Sequence, residues 1–124
     1  MRLFVSAMVS WVVFIWGYDG IIAQTSDSVA MMRGVEVVKM SDGVWRHISH
    51  LWFNGTPVPS NGLIIEGEHD LLMIDTPCNN TQTDSLLRWA EQAVRKPVRK
   101  VVATHAHEDR VGGIDQIMFA QRLA

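Results

Sequence analysis

The chain has 124 residues, 11 Lys and Arg against 13 Asp and Glu for a formal charge of −2, five His and one Cys. That length fits one small domain or a piece of a larger one, and the charge offers no basic field for holding nucleic acid. A hydrophobic fraction of 48% excludes a disordered chain, and the single Cys excludes an internal disulfide framework or an all-cysteine zinc site.

Met1 and Arg2 supply a short positive start, and residues 3–16 (LFVSAMVSWVVFIW) then run without a charge. A spanning helix needs about 20 apolar residues, so this shorter run reads as the core of a secretory signal, with a buried core helix or an uncleaved anchor as the other reading. The expected signal peptide is 1–23, cleaved after Ala23, leaving the domain at 24–124. The expected product is periplasmic, with no stable membrane anchor after cleavage, a compartment compatible with one unpaired Cys.

Residues 24–33 are polar and small, and read as a loose lead-in. Residues 35–40 (VEVVKM) and 44–49 (VWRHIS) carry strand patterns around a Ser41-Asp42-Gly43 turn, which predicts a hairpin. Residues 51–59 (LWFNGTPVP) combine two aromatics, a Gly and two Pro without periodicity and read as a loop; Asn61-Gly62 reads as a turn. Residues 63–66 and 71–74 are apolar around the polar Gly67-Glu68-His69-Asp70, which predicts a second hairpin.

The period then changes. Thr81 and Asp84 have the spacing of a capping box, and Leu86, Leu87, Ala90 and Val94 share one helical face. Pro97 closes that helix after Arg95 and Lys96. Residues 100–103 read as a short buried strand, and Ile114, Ile117 and Met118 give helical spacing to residues 113–123. The order is ββββαβα, an α+β chain with antiparallel hairpins followed by a crossover.

Directly after the last strand comes THAHEDRVGG, residues 104–113. His105, His107 and Asp109 place two imidazoles and a carboxylate at alternate positions of a strand end, a nitrogen, nitrogen, oxygen donor set that zinc takes readily. Gly112 and Gly113 allow a tight turn into the next helix. A polar strand-to-helix turn is the bland alternative; the run of two His, an Asp and paired Gly at fixed spacing favours metal.

On these residues the chain resembles the metallo-β-lactamase superfamily: His105-x-His107-x-Asp109 with Gly112-Gly113, the run 71–77 (LLMIDTP), Ser60-Asn61-Gly62-Leu63, and Asp42-Gly43-Val44-Trp45. The resemblance implies the N-terminal half of a four-layer αββα sandwich. Glyoxalase II, many nucleases and subclass B3 enzymes carry a further His where this chain has Arg110, so the wording is similar to subclass B1, and to its VIM-type members. The resemblance makes His105 and His107 ligands of a first zinc, and Asp109 a ligand of a second that also orients the attacking hydroxide. Asp75 would brace the metal loop from beneath, with a simple turn-capping carboxylate as the other reading. Arg110 would form an ion pair beside the site. Leu51, Trp52 and Phe53 fall where such enzymes carry a flap over the substrate; core packing is the other reading for the two aromatics.

In that family the third His of the first zinc, and the Cys and His of the second, lie downstream of the last residue here. His47, His50 and His69 match no ligand position, and Cys78 reads as an incidental thiol rather than the zinc cysteine. The whole enzyme is expected to be a monomer with two Zn2+, opening the β-lactam amide of penicillins, cephalosporins and carbapenems by metal-bound hydroxide, while this chain alone is expected to be inactive. A glyoxalase II-like thioesterase and a non-catalytic zinc-binding module are the alternatives.

Overall fold

A computed structural model describes residues 29–123. Six strands and three helices follow in chain order: β1 (Val29–Met32), β2 (Val35–Ser41), β3 (Val44–Phe53), β4 (Thr56–Glu66), β5 (Leu71–Ile74), α1 (Asn80–Trp89), β6 (Val98–Val102), α2 (Glu108–Val111) and α3 (Ile114–Leu123). One sheet holds all six strands in sequence order. The first five are antiparallel neighbours, and β6 joins β5 in parallel after the helical crossover. The expected signal peptide and the first half of the lead-in lie outside the described residues. No helix among the described residues is long and apolar enough to cross a membrane.

Residues 51–59 are not a loop. β3 and β4 pair continuously from Val44 opposite Ile65 to Phe53 opposite Thr56, around a two-residue turn at Asn54 and Gly55. Both turn residues have positive φ, 49° and 77°, the backbone that a tight hairpin between right-twisted strands requires. Pro57 and Pro59 are tolerated because β5 pairs only with residues 63–66, so this part of β4 has a free side for its missing donors. Asn61 and Gly62 lie mid-strand rather than in a turn, and residues 29–32 of the lead-in form β1.

Helix α1 begins two residues earlier than the capping-box spacing suggests. Asn79 is the N-cap, its side-chain oxygen accepting the Gln82 N–H at 2.9 Å. Its last turn widens into a π-turn over Ala90–Val94, and Arg95 leaves it in the left-handed region (φ 61°) before Pro97.

The core lies between one face of the sheet and α1 with α3. Val35, Val37, Ile64, Leu71, Met73 and Val98 meet Leu86, Ala90 and Ile117 there, with Trp45, Leu87, Val94 and Val101 packed around them. These strand residues alternate, as the period of two requires. The opposite face carries Ile48, Leu63, Ile65, Leu72 and Ile74, all half-buried and outside that cluster. β6 is less buried than its sequence suggests: Val98 is covered, but Arg99, Lys100 and Val102 are exposed because β6 is the edge strand among the described residues.

Candidate metal centre

The chain leaves β6 at Val102 and crosses the carboxyl ends of β5 and β6 before entering α2, whose N-cap is His107. His105, His107 and Asp109 converge in this segment: one donor atom from each lies within 4.8 Å of the others. The two imidazoles stand edge to face with ring centres 4.7 Å apart, both exposed, while Asp109 is half-buried. Two nitrogens and a carboxylate oxygen so close together fit a zinc-type ion.

Asp75 supplies the brace. It leaves β5 with φ 57°, a left-handed backbone that Asp tolerates better than most side chains. Its buried carboxylate accepts the Thr104 backbone N–H at 2.7 Å and the Thr104 hydroxyl at 3.0 Å. The same hydroxyl oxygen lies 3.1 Å from His105 Nδ1. A hydroxyl has one proton, and here it goes to the carboxylate, so its oxygen accepts from Nδ1–H. That tautomer leaves the Nε2 lone pair of His105 free for an ion, the arrangement in which a carboxylate orients a ligating imidazole through its other nitrogen.

Arg110 ties the loop down on its other side. Its guanidinium lies 3.5 Å from Asp75 Oδ2 and 3.2 Å from Asp109 Oδ2, and donates to the Asn61 carbonyl. The Nε contact with Asp109 lacks hydrogen-bond alignment, so it acts as a charge contact. Ser60 of β4 donates to the Asp109 carbonyl at 2.8 Å. The Arg110 carbonyl in turn accepts the Thr76 N–H at 2.8 Å, and Gly113 N–H donates to Thr76 Oγ1 at 3.0 Å.

The paired glycines serve close approach rather than an unusual turn. Gly112 has right-handed helical φ (−61°), but a Cβ there would lie 2.2 Å from the Cys78 carbonyl oxygen. A Cβ on Gly113 would lie 1.7 Å from Thr83 Oγ1. Cys78 is buried, its thiol 3.3 Å from the Ser49 hydroxyl, and burial pushes its pKa up. It is a packed thiol, not a poised one.

Leu51, Trp52 and Phe53 sit at the far end of the β3–β4 hairpin. Trp52 and Phe53 are 68% and 65% exposed among the described residues, and Leu51 is half-buried. Sequence reasoning missed Ser60, Thr104 and His47. His47 had a legible signal: in the period of two it shares the core face with Trp45 and Ser49, so a ring there had to be buried.

The family model of the metallo-beta-lactamase superfamily matches residues 55–123, more than half of the chain. The chain belongs to this superfamily. A metallo-beta-lactamase type 2 from Bacillus sp. (strain 170) is 38% identical over 80 residues, covering 64% of this chain and 31% of that protein. Its namesake from Bacteroides fragilis is 32% identical over 88 residues, covering 70% and 35%. Among solved structures, a metallo-beta-lactamase from Erythrobacter litoralis with beta-mercaptoethanol in its active site superposes with a TM-score of 0.72 at 34% identity, over 76% of this chain and 42% of that one. The Pseudomonas aeruginosa metallo-beta-lactamase FIM-1, solved in a mono-zinc form, gives 0.66 at 36% identity, over 69% and 38%. The chain thus spans about a third of the length of the curated superfamily members it matches.

Proposed function

We propose that this chain is the N-terminal part of a B1-type, zinc-dependent β-lactamase that opens the β-lactam amide of penicillins, cephalosporins and carbapenems. The carrying observation is the convergence of His105, His107 and Asp109 within 4.8 Å on a loop braced by Asp75. When bound, zinc supplies Lewis acidity and a water-derived nucleophile at neutral pH. His105 and His107 hold the first ion, with Thr104 fixing the tautomer of His105. Asp109 serves the second ion and orients the nucleophile, kept in place by Arg110 and Ser60. Trp52 and Phe53 offer apolar cover to a substrate from the hairpin tip. Arg110 where other superfamily hydrolases have a histidine supports B1 over a glyoxalase II-like thioesterase. Residues 1–23 act as an export signal to the periplasm, and the whole enzyme works as a monomer.

Two ligands for one ion and one for the other fall short of the three that a catalytic zinc normally takes, so the chain alone binds zinc weakly and turns over no β-lactam. The test is a chimera in which residues 35–123 replace the matching segment of the type 2 enzyme from Bacillus sp. (strain 170). Nitrocefin hydrolysis lost on chelation and in His107→Ala supports the proposal. A folded chimera that binds zinc and leaves nitrocefin and a carbapenem intact overturns it.

A further inference from the structure

The register of the sheet lines up three residues. His47 on β3 faces Gly62 on β4, and one step beyond the Leu63–Ile74 pair Gly62 faces Asp75 at the end of β5. Neighbouring strands lie about 4.8 Å apart, so a side chain on β3 reaches β5 only where the strand between them presents none. Gly62 provides that gap: a Cβ there would lie 2.2 Å from His47 Nε2 and 2.4 Å from the Ile74 carbonyl oxygen. Through it, His47 Nε2 comes within 3.0 Å of the Asp75 carbonyl oxygen.

The imidazole is 1% exposed, and its Nδ1 has no hydrogen-bond partner. A carbonyl only accepts, so the ring proton sits on Nε2 and His47 donates. Burial pushes the ring down to about 4 against the pull of the Asp75 carbonyl, so it is neutral at pH 7. Filling space alone would favour an aliphatic side chain here, because a buried ring with one orphaned nitrogen is costly. What the ring achieves is at Asp75. That residue donates its N–H to the Val102 carbonyl at 2.8 Å, accepts from Thr104 at its carboxylate and accepts from His47 at its carbonyl, and it does so at φ 57°. A left-handed non-glycine residue persists only where its surroundings over-determine it.

We propose that His47 is a positioning residue of the metal loop: it holds the Asp75 carbonyl across Gly62, and so keeps the Asp75 carboxylate on Thr104 and Thr104 on His105. The inference rests on His105 being a metal ligand, but half of its test does not.

The experiment compares His47→Gln with His47→Asn in the 124-residue chain. The Gln amide reaches about as far as Nε2, whereas Asn is one methylene short of the gap over Gly62. In the metal-free chain, Asn is expected to speed amide exchange at Thr104 by about tenfold relative to Met73 in the core, with Gln close to wild type. In a Co2+ titration of the chimera carrying residues 35–123, which supplies the remaining ligands, Asn is expected to weaken binding by about tenfold and Gln to retain most of it. In an Asp75→Ala background, His47→Asn is expected to add no further loss of Co2+ affinity, since both changes act on one path. Exchange at Thr104 that follows Met73 in every variant, equal behaviour of Gln and Asn, or additive losses in the double variant would each overturn the proposal. A wild-type chimera that binds no Co2+ would sink the metal reading instead, and the exchange data would still decide whether His47 holds Asp75.

Discussion

The two ends of one sheet face obey the same alternation and do different work. At the end away from the metal loop, Trp45, Ile64 and Met73 lie side by side across β3, β4 and β5, and meet Leu86 and Ala90 of the crossover helix. Trp45 also packs edge-on against Trp89, ring centres 5.7 Å apart. At the other end the same face presents His47, Ser49 and Ser60, with Asp75 and Thr76 just past the end of β5, all buried and all polar. Burial is equal; chemistry is not. The apolar end holds the sheet and helices together through area removed from water, which is insensitive to direction. The polar end contributes directional bonds, and most run to the backbone or loop that carries His105 to Gly113. A buried polar cluster that is well partnered specifies geometry more than it adds stability.

That contrast predicts where stability and metal affinity separate. The largest effect is expected from Ile64→Ala or Leu86→Ala, each truncating a fully buried core side chain. Each should cost about 2–5 kcal/mol in chemical denaturation. Under conditions where the variant is folded, its Co2+ affinity should match wild type; an equal loss of affinity would break the distinction between the ends.

Gly113→Ala should come next. The added methyl would collide with Thr83 Oγ1, so α2 and α3 must shift against α1. A loss of about 1–3 kcal/mol in thermal melts is expected, together with weaker Co2+ binding, because the same residue anchors the loop to Thr76.

Thr104→Val reverses the pattern. It keeps the volume and removes the hydroxyl between Asp75 and His105. Metal affinity is expected to fall roughly 10- to 100-fold, with only a small change in melting temperature. A titration curve unchanged from wild type would show that Asp75 does not orient His105.

The pH dependence sharpens the comparison further. His47 is lowered from 6.5 to about 4 in the fold, so the unfolded chain binds its proton first on acidification. Stability is complete above pH 6.5 and falls as the pH drops toward 4, with a slope of up to about 1.4 kcal/mol per pH unit for one proton. Denaturation midpoints of His47→Gln should lack that part of the slope. The smallest effect belongs to Trp52→Ala at the hairpin tip: within about 0.5 kcal/mol in stability and none in Co2+ affinity, as expected for a side chain exposed to solvent.

Local sequence was enough to determine the donor set, because His105, His107 and Asp109 are close in space for the reason that they are close in the chain. The β2–β3 turn, the β4–β5 turn and the apolar stripe of α1 were legible on the same ground. Residues 51–59 misled because Pro and Gly report local preference, and the pairing of β3 with β4 overrides it wherever the prolines face an unpaired side. Thr81 misled because three-residue spacing alone cannot tell which polar residue has left the helix; Asn79, with φ −158°, has. Asp75 was named through the resemblance, but its partners Thr104 and His47 lay beyond any local reading. Asp75 meets Thr104 across 29 positions, and His47 meets Asp75 across 28. Only the register of β3, β4 and β5 brings these residues into line, and only the missing side chain of Gly62 lets one strand touch the next but one.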